Sequence, residues 1–238
     1  MDLGAPQRLR HFFASMPVPC PYLPGKVEQK LVVELTGERS GELYTELSCS
    51  GFRRSHNFAY RPSCRDCSAC VPVRIRVADF APSRTQRRLW RRNGDLAVAE
   101  RPPLATSEQY RLFIAYQRSR HRASEMAAMT WTDYRQMIET TPVDTIVAEV
   151  RDTGGALVGA SLVDRTADGL SAVYSFYDPD QPRRSLGIFA ILWLVERAGA
   201  LGLPYVYLGY WVAGSATMDY KRCFPALEKL TGGLWSPL

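Results

Sequence analysis

The sequence predicts a mixed α+β protein, and three observations carry that expectation. Between residues 144 and 212, short runs rich in β-branched and aromatic residues (TIVAEV, ALVGASLVD, LSAVYSFYD and YVYLGYW) are bounded by turn residues, as strands are. One long apolar run, SLGIFAILWLVERAGALG, separates the third strand from the fourth and reads as a strand–helix–strand crossover. The first hundred residues differ in kind, being rich in arginine and cysteine with only short strands. The expected organisation is a smaller Cys/Arg-rich region, 1–100, packed on a larger α/β region, 101–238.

Taken in order, LVVEL (31–35) reads as a strand and Gly41 to Ser48 as a second strand after a polar turn. VPVRIRV (71–77) alternates apolar and basic residues, the pattern of a half-exposed strand. Ser83 with Gln86 three residues later fits a capping box, and Asn93-Gly94 fits a helix stop, which places a helix over 84–92. Pro102-Pro103 breaks the chain, and SEQYRLFIAYQRSRH and TDYRQMIET then read as amphipathic helices. A short helix is expected around 215–224.

Composition narrows the function classes. The 238 residues are 46% hydrophobic and 23% charged, ordinary for a globular protein with a sizeable core. The longest apolar run, Ile188 to Val195, is too short to span a bilayer, and MDLGAPQRLRHFFASMP has no apolar core of leader length. The expectation is a cytoplasmic chain without a membrane anchor, its six cysteines reduced or metal-bound. Of 30 basic residues only Lys26, Lys30, Lys221 and Lys229 are lysines, which leaves 26 arginines. GC-rich coding would raise arginine throughout a chain, but here the charge is concentrated. Residues 53–92 carry eleven arginines against Asp66 and Asp79, a local net of +9 in a chain whose total is +6. A nucleic acid is the anionic partner that such a segment suits best.

Within it, Arg84, Arg87, Arg88, Arg91 and Arg92 fall on one stripe of the expected helix. Like charges at that spacing repel unless an anion neutralises them, and phosphates would do so without reading base sequence. A solvated face paired with acids from elsewhere is the competing reading. Cys64, Cys67 and Cys70 stand at C-x2-C-x2-C, where three thiolates can converge on a zinc ion or an iron–sulfur cluster, with Cys20 as the best fourth ligand. A knuckle of reduced thiols without metal is the alternative. The turn PRRSLGIFA (182–190) can offer N–H groups to a phosphate at a helix N-terminus, though a plain helix cap would look the same. Phe189 would crowd a pyrophosphate there, which argues against coenzyme A. His11, His56 and His121 have no spaced partner and read as structural or exposed.

Several blocks together resemble a known family: PCPYLPGK (19–26), SGFRRSHNFAYRPSCRDCSACVPVRIRV (50–77), PSRTQRRLWRRNGDL (82–96), VYSFYDP (173–179), LPYVYLGYWV (203–212) and MDYKRCFPALE (218–228). They are similar to the bacterial aminoacyl-tRNA–protein transferases, in the aspartate/glutamate leucyltransferase branch, relatives of the eukaryotic arginyltransferases. The likeness runs from about residue 10 to 230 of the 238. It implies transfer of a leucyl residue from Leu-tRNA, with Arg-tRNA as the other donor, to proteins beginning with Asp or Glu, which creates an N-degron for protein degradation. It also implies an acetyltransferase-like C-terminal half in which the tRNA 3′ end takes the place of coenzyme A.

On that reading Arg53 and Arg54 bind the acceptor's acidic side chain, with Arg74 or Arg76 as alternates. Arg84, Arg87, Arg88, Arg91 and Arg92 hold tRNA phosphates, and Arg184, Ser185 and Gly187 receive the terminal nucleotide. Tyr174, Tyr207, Tyr210 or Asp219 lines the reaction centre. The reaction itself requires no cofactor. Arginyl-type members carry a paired cysteine near the N-terminus, and Leu23 stands where the second would be while Cys20 remains. A coenzyme-A-dependent acyltransferase of the same fold and a non-catalytic cysteine-knuckle RNA-binding protein are the competing functions.

Overall fold

The computed structural model describes residues 11–122 and 124–238, so most of the segment read above for a leader lies outside it. The chain begins with β1 (Phe12–Ala14), β2 (Val18–Pro19), β3 (Val27–Glu28), β4 (Lys30–Glu34), α1 (Ser40–Cys49), β5 (Arg53–Ser55) and β6 (Phe58–Pro62). Strands β1, β4, β6 and β5 pair antiparallel in that order, and β2 pairs with β3. Helix α1 covers the small sheet and buries Leu43, Tyr44 and Leu47 against Val33, Leu35, Phe52 and Ala59.

The segment 41–48 is therefore a helix and not the expected strand. Its apolar residues satisfy two periods at once: Leu43, Thr45 and Leu47 alternate, while Leu43, Tyr44, Leu47 and Ser48 share one helical face. The structure buries the second set. Packing on the sheet decides what local pattern leaves open.

The second sheet holds β7 (Cys70–Arg76), then, after α2 (Arg84–Arg92), β8 (Ala97–Arg101). Helices α3 (Ser107–Arg120) and α4 (Trp131–Glu139) precede β9 (Thr145–Arg151), β10 (Leu157–Thr166) and β11 (Gly169–Tyr177). The chain ends with α5 (Leu186–Ala200), β12 (Tyr205–Val212), β13 (Leu227–Thr231) and β14 (Leu234–Pro237). The eight strands run β14-β13-β7-β12-β11-β10-β9-β8. Helix α5 and Leu89 of α2 pack on one face, with Phe189, Leu192 and Val195 against Ile75, Val163, Leu170 and Val206. Helices α3 and α4 cover the other face, with Phe113, Tyr134 and Ile138 against Val147, Leu162 and Phe176.

The capping boxes explain the sharp helix starts: Ser83 with Gln86, Thr106 with Gln109 and Thr130 with Asp133 each satisfy the first free N–H groups reciprocally. The expected helix near 215–224 is a short 3-10 turn, Asp219–Cys223. Strand β7 lies inside the sheet with β12 on one side and β13 on the other, so the large sheet draws strands from both sides of residue 100. Arg74 is buried there and Arg76 exposed, where the alternating sequence led us to expect both outward.

One feature of the sheet positions the site. Strands β11 and β12 are parallel and joined by the α5 crossover, the arrangement expected of an acetyltransferase-like half. They pair only where Gly169–Ser171 meets Tyr205–Tyr207, and then pairing stops. Both strands are irregular at the opening. In β11, Val173 lacks a partner across β10, because Tyr174 faces Leu162 and Ala172 faces Val163. In β12 the register against β7 shifts between Tyr207 and Gly209, where Gly209 has φ +73°. The result is a split with a bulge on each wall.

Candidate active site and nucleic-acid face

The split is filled from the small sheet. Arg53, on β5, reaches across it and donates from Nη2 to the carbonyls of Ala172 (2.9 Å) and Val173 (2.6 Å), acceptors that β12 leaves unpaired. Its guanidinium lies on Gly209, where an added Cβ would sit 2.0 Å from Nη1, so the left-handed glycine provides both the bulge and the room. Nε and Nη1 have no acceptor among the described residues. Lys221, on the 3-10 turn, is 3% exposed, and its Nζ donates to the Tyr210 carbonyl and lies 3.4 Å from Met218 Sδ. Burial, with the Arg53 charge nearby, brings its pKa down from the usual lysine value to about 7. The sequence reading missed Lys221. The available signal was a lysine where arginine is nearly universal, since a lysine tolerates burial as a neutral amine and arginine does not.

Arg54, next in sequence, points the other way. It meets Asp164 in a bidentate pair, with both bonds 2.7 Å long and both side chains fully buried. Further bonds go to the carbonyls of His56 and Thr140. It faces no cleft, and the expectation that it binds an acceptor is corrected accordingly. Arg74 is spent on Glu228 at 2.8 Å and is stacked on the rings of Tyr205 and Trp235, 3.5 and 4.2 Å from their centroids. Arg76 also pairs with Glu228, and with Asp79 at 3.3 Å. Against the cost of burial, bonds from Arg74 and Arg76 hold the Glu228 carboxyl below its usual range. Of the four expected acceptor-binding arginines, only Arg53 stands in the split.

The proposed reaction-centre residues separate in the same way. The Tyr207 hydroxyl donates to Asp168 at 2.6 Å beside Cys49, and burial raises its pKa well above the usual tyrosine value. That network is half-buried and lies at the turn between β10 and β11, where β11 begins. Tyr210 donates to the carbonyls of Gly51 and Tyr60, which locks the small sheet to β12. Tyr174 accepts from Gln117 Nε2 at 2.5 Å, and burial pushes it up to about 12. Asp219 is exposed at the start of the 3-10 turn. Burial raises all three tyrosines, so their hydroxyls stay neutral at neutral pH.

The arginine stripe is where the sequence placed it. Arg84, Arg87, Arg88, Arg91 and Arg92 are all exposed on α2, and none is within ion-pair distance of a carboxylate among the described residues. The helix is tied to the turn that follows β11: Arg92 Nη1 donates to the Arg183 carbonyl at 2.5 Å, and Asn93 Nδ2 to that of Arg184. Arg184 itself closes on Asp95 with two 2.8 Å bonds, which hold the Asp95 carboxyl below its usual range. Arg184 therefore braces the turn, and the expectation that it receives a nucleotide is corrected. Ser185 takes a left-handed φ of 48°, and its side chain caps nothing. Gly187 lies under Tyr177, where a Cβ would meet the ring at 3.0 Å. Phe189 is buried against Trp90, with ring centroids 5.3 Å apart.

Cys20, Cys64, Cys67 and Cys70 line one cavity of about 270 Å3, together with Tyr22 and Glu28. Burial, with the neighbouring cysteines and Glu28, pushes the Cys70 thiol up to about 12. The donors suit zinc or an iron–sulfur cluster in kind. Among the described residues no group of three His, Cys, Asp or Glu side chains is already drawn together around one point. No helix among the described residues is long and apolar enough to cross a membrane.

Comparison with known proteins matches these features to a family. Residues 18–88 match the N-terminal model, and residues 108–231 the C-terminal model, of the arginine-tRNA-protein transferases. The chain is 51% identical over 235 residues to an aspartate/glutamate leucyltransferase of Paramagnetospirillum magneticum, covering 99% of this chain and 96% of that one. It is 52% identical to the enzyme of the same description from Granulibacter bethesdensis, covering 97% and 86%. Among solved structures, L-PGS from Bacillus licheniformis is similar over 78% of this chain and 55% of that one, at 12% identity and a TM-score of 0.49.

Proposed function

The chain belongs to the arginine-tRNA-protein transferase family, and from that premise we propose that it moves a leucyl residue from Leu-tRNA to the α-amine of proteins beginning with Asp or Glu. The observation that carries the reading is a junction. The helix that carries the exposed arginines is bonded through Arg92 and the following Asn93 to the turn between β11 and α5, the turn that directly follows β11. A phosphate-binding face thus leads into a cleft with an uncompensated cation. The tRNA backbone lies on Arg84, Arg87, Arg88, Arg91 and Arg92, and its aminoacylated 3′ end enters the split between β11 and β12.

The chemistry asks for positioning more than for activation. The α-amine, freed of one proton, attacks the ester carbonyl carbon. The tetrahedral intermediate collapses, the C–O bond to the ribose breaks, and the terminal hydroxyl oxygen takes up a proton as the amide forms. An α-amine has a pKa near 8, so water can carry the first proton. Holding the reacting atoms about 3–3.5 Å apart supplies most of the rate. Arg53 aligns the acceptor by its acidic side chain. The product begins with leucine, an N-degron for the degradation machinery. Because aminoacyl-tRNA is a cytoplasmic substrate, the reaction belongs in the cytoplasm.

The rival donor, coenzyme A, suits this site poorly: Arg184 is bound to Asp95, and Phe189 is buried against Trp90 where a pyrophosphate turn needs open N–H groups. Nor does the reaction need a metal. Metal binding at the cysteine cavity is a separate proposal, checked by metal content and visible absorbance of anaerobically purified protein. The reaction is tested with pure protein, labelled Leu-tRNA or Arg-tRNA, and peptides beginning with Asp, Glu, Lys or Ala. Label from Leu-tRNA on the Asp and Glu peptides alone is expected. Label from Arg-tRNA alone would overturn the donor, and label on no peptide would sink the reading.

A further inference from the structure

The buried cations of this protein fall into two kinds. Arg54 with Asp164 and Arg74 with Glu228 follow the rule that a charge removed from water is neutralised by an opposite one. The partly buried Arg151, bonded to Glu108 and Glu149, follows it too. Arg53 and Lys221 do not. Among the described residues no carboxylate lies within 4 Å of either, and their acceptors are the carbonyls of Ala172, Val173 and Tyr210 and the Met218 sulfur. They are close enough for the charge of Arg53 to act on Lys221, and both sit against the Gly209–Tyr210 stretch of β12. Lysine is almost never fully buried without a partner. A buried lysine and a half-buried arginine that repel each other and lack a counter-ion cost stability that the sheet alone does not repay.

We propose that Lys221 and Arg53 together form the carboxylate-recognition site for the acceptor's N-terminal Asp or Glu, with Lys221 the residue that distinguishes the acid from its amide. The proposal rests on the reading of the reaction given above and adds to it a residue that lies outside the arginine-rich segment. Arg53 offers Nε–H and Nη1–H to the carboxylate while Nη2 stays on β11. Lys221 supplies the second charge from its place against the Tyr210 carbonyl. One bound carboxylate then neutralises both cations, which an amide cannot do, and its orientation brings the α-amine towards the opening between β11 and β12. Lys221 thus acts on specificity through the charge that it places behind Arg53.

The test uses the full-length protein and two peptides that differ only in an N-terminal Asp or Asn. Peptide binding is read by fluorescence anisotropy, leucyl transfer by label from Leu-tRNA, and Leu-tRNA binding by filter retention. In Lys221→Met the affinity and kcat/KM for the Asp peptide fall about 10-fold or more, because one of the two charges acting on the carboxylate is removed. Values for the Asn peptide and for Leu-tRNA change little. Lys221→Arg recovers most of the preference for Asp. If Lys221→Met does not fold, Lys221→Gln keeps a donor for the Tyr210 carbonyl without the charge and carries the same expectation. Equal losses on both peptides would make Lys221 a structural residue and overturn the proposal. So would lost Leu-tRNA retention with the Asp preference intact, which would give the cations to a donor phosphate. A wild-type protein that binds Asp over Asn but transfers nothing would reject the reaction and leave the site standing.

Discussion

Arg53 and Arg54 are adjacent in one three-residue strand, and their side chains meet opposite fates. Arg54 is sealed against Asp164 with three further oxygens around it, and it fastens the small sheet to β10. Arg53 crosses the split and satisfies only backbone carbonyls, leaving part of its guanidinium unspent. Alternation along a strand sends neighbours to opposite faces, so a pair of identical residues can serve structure on one side and chemistry on the other. The contrast teaches that what marks a functional cation here is the lack of a carboxylate, more than burial or charge.

That contrast can be broken at several points. The largest effect belongs to the sealed pair. Asp164→Ala leaves Arg54 buried and uncompensated and is expected to cost about 3–5 kcal/mol in urea unfolding. A cost below about 1 kcal/mol would show that Arg54 is no anchor. The uncompensated side should instead respond to pH. Lys221 has a folded pKa of about 7, below its unfolded value, so the folded state binds fewer protons between those two values and stability rises with pH there. Lys221→Met removes this dependence. Its stability advantage over wild type should therefore widen as pH falls from about 10 to 7, by on the order of a few kcal/mol, and stay constant below. Parallel curves across that window would contradict a buried, uncompensated amine.

A smaller stability effect but a sharp functional one is expected of Gly209→Ala. The new Cβ strains a left-handed position and displaces Arg53, at a cost of about 1–3 kcal/mol. Leucyl transfer to an Asp peptide should drop far more than Leu-tRNA binding does. Charge reversal on α2 sits at the other end: Arg87→Glu with Arg91→Glu should leave the melting midpoint unchanged. It should weaken tRNA binding and lower the slope of log affinity against log salt by roughly 0.7–0.9 per lost phosphate contact. An unchanged slope would detach the stripe from the tRNA site.

How much of this was legible follows from the range of each interaction. Helices α2, α3 and α4 could be read because their capping pairs lie three residues apart, as Ser83 and Gln86 do. The stripe of α2 was legible because it is local and exposed. The partners of Arg54 and Arg74, by contrast, are 110 and 154 residues away, so nothing nearby told a spent arginine from a free one. Arg184 was misread for the same reason, since Asp95 stands 89 residues earlier. The split is a property of where β11 and β12 stop pairing, and Lys221 acquires its character only once the 3-10 turn folds over it. Strands β13 and β14 went unread: β13 pairs with β7, far upstream, and β14 pairs only with β13.

The interior position of β7 carries a consequence for synthesis. Strand β12, one of its neighbours, begins about 130 residues after β7 ends, and β13, the other, is later still. At ribosomal rates of 5–20 residues per second, β7 waits roughly 6–26 seconds before its first partner strand exists. During that interval Val73 and Ile75 have no sheet to cover them, and Arg74 has no Glu228. Residues 205–238 thus complete a strand made in the first third of the chain, and a truncated product lacking them would expose an open β-edge to the chaperones and proteases that meet nascent chains.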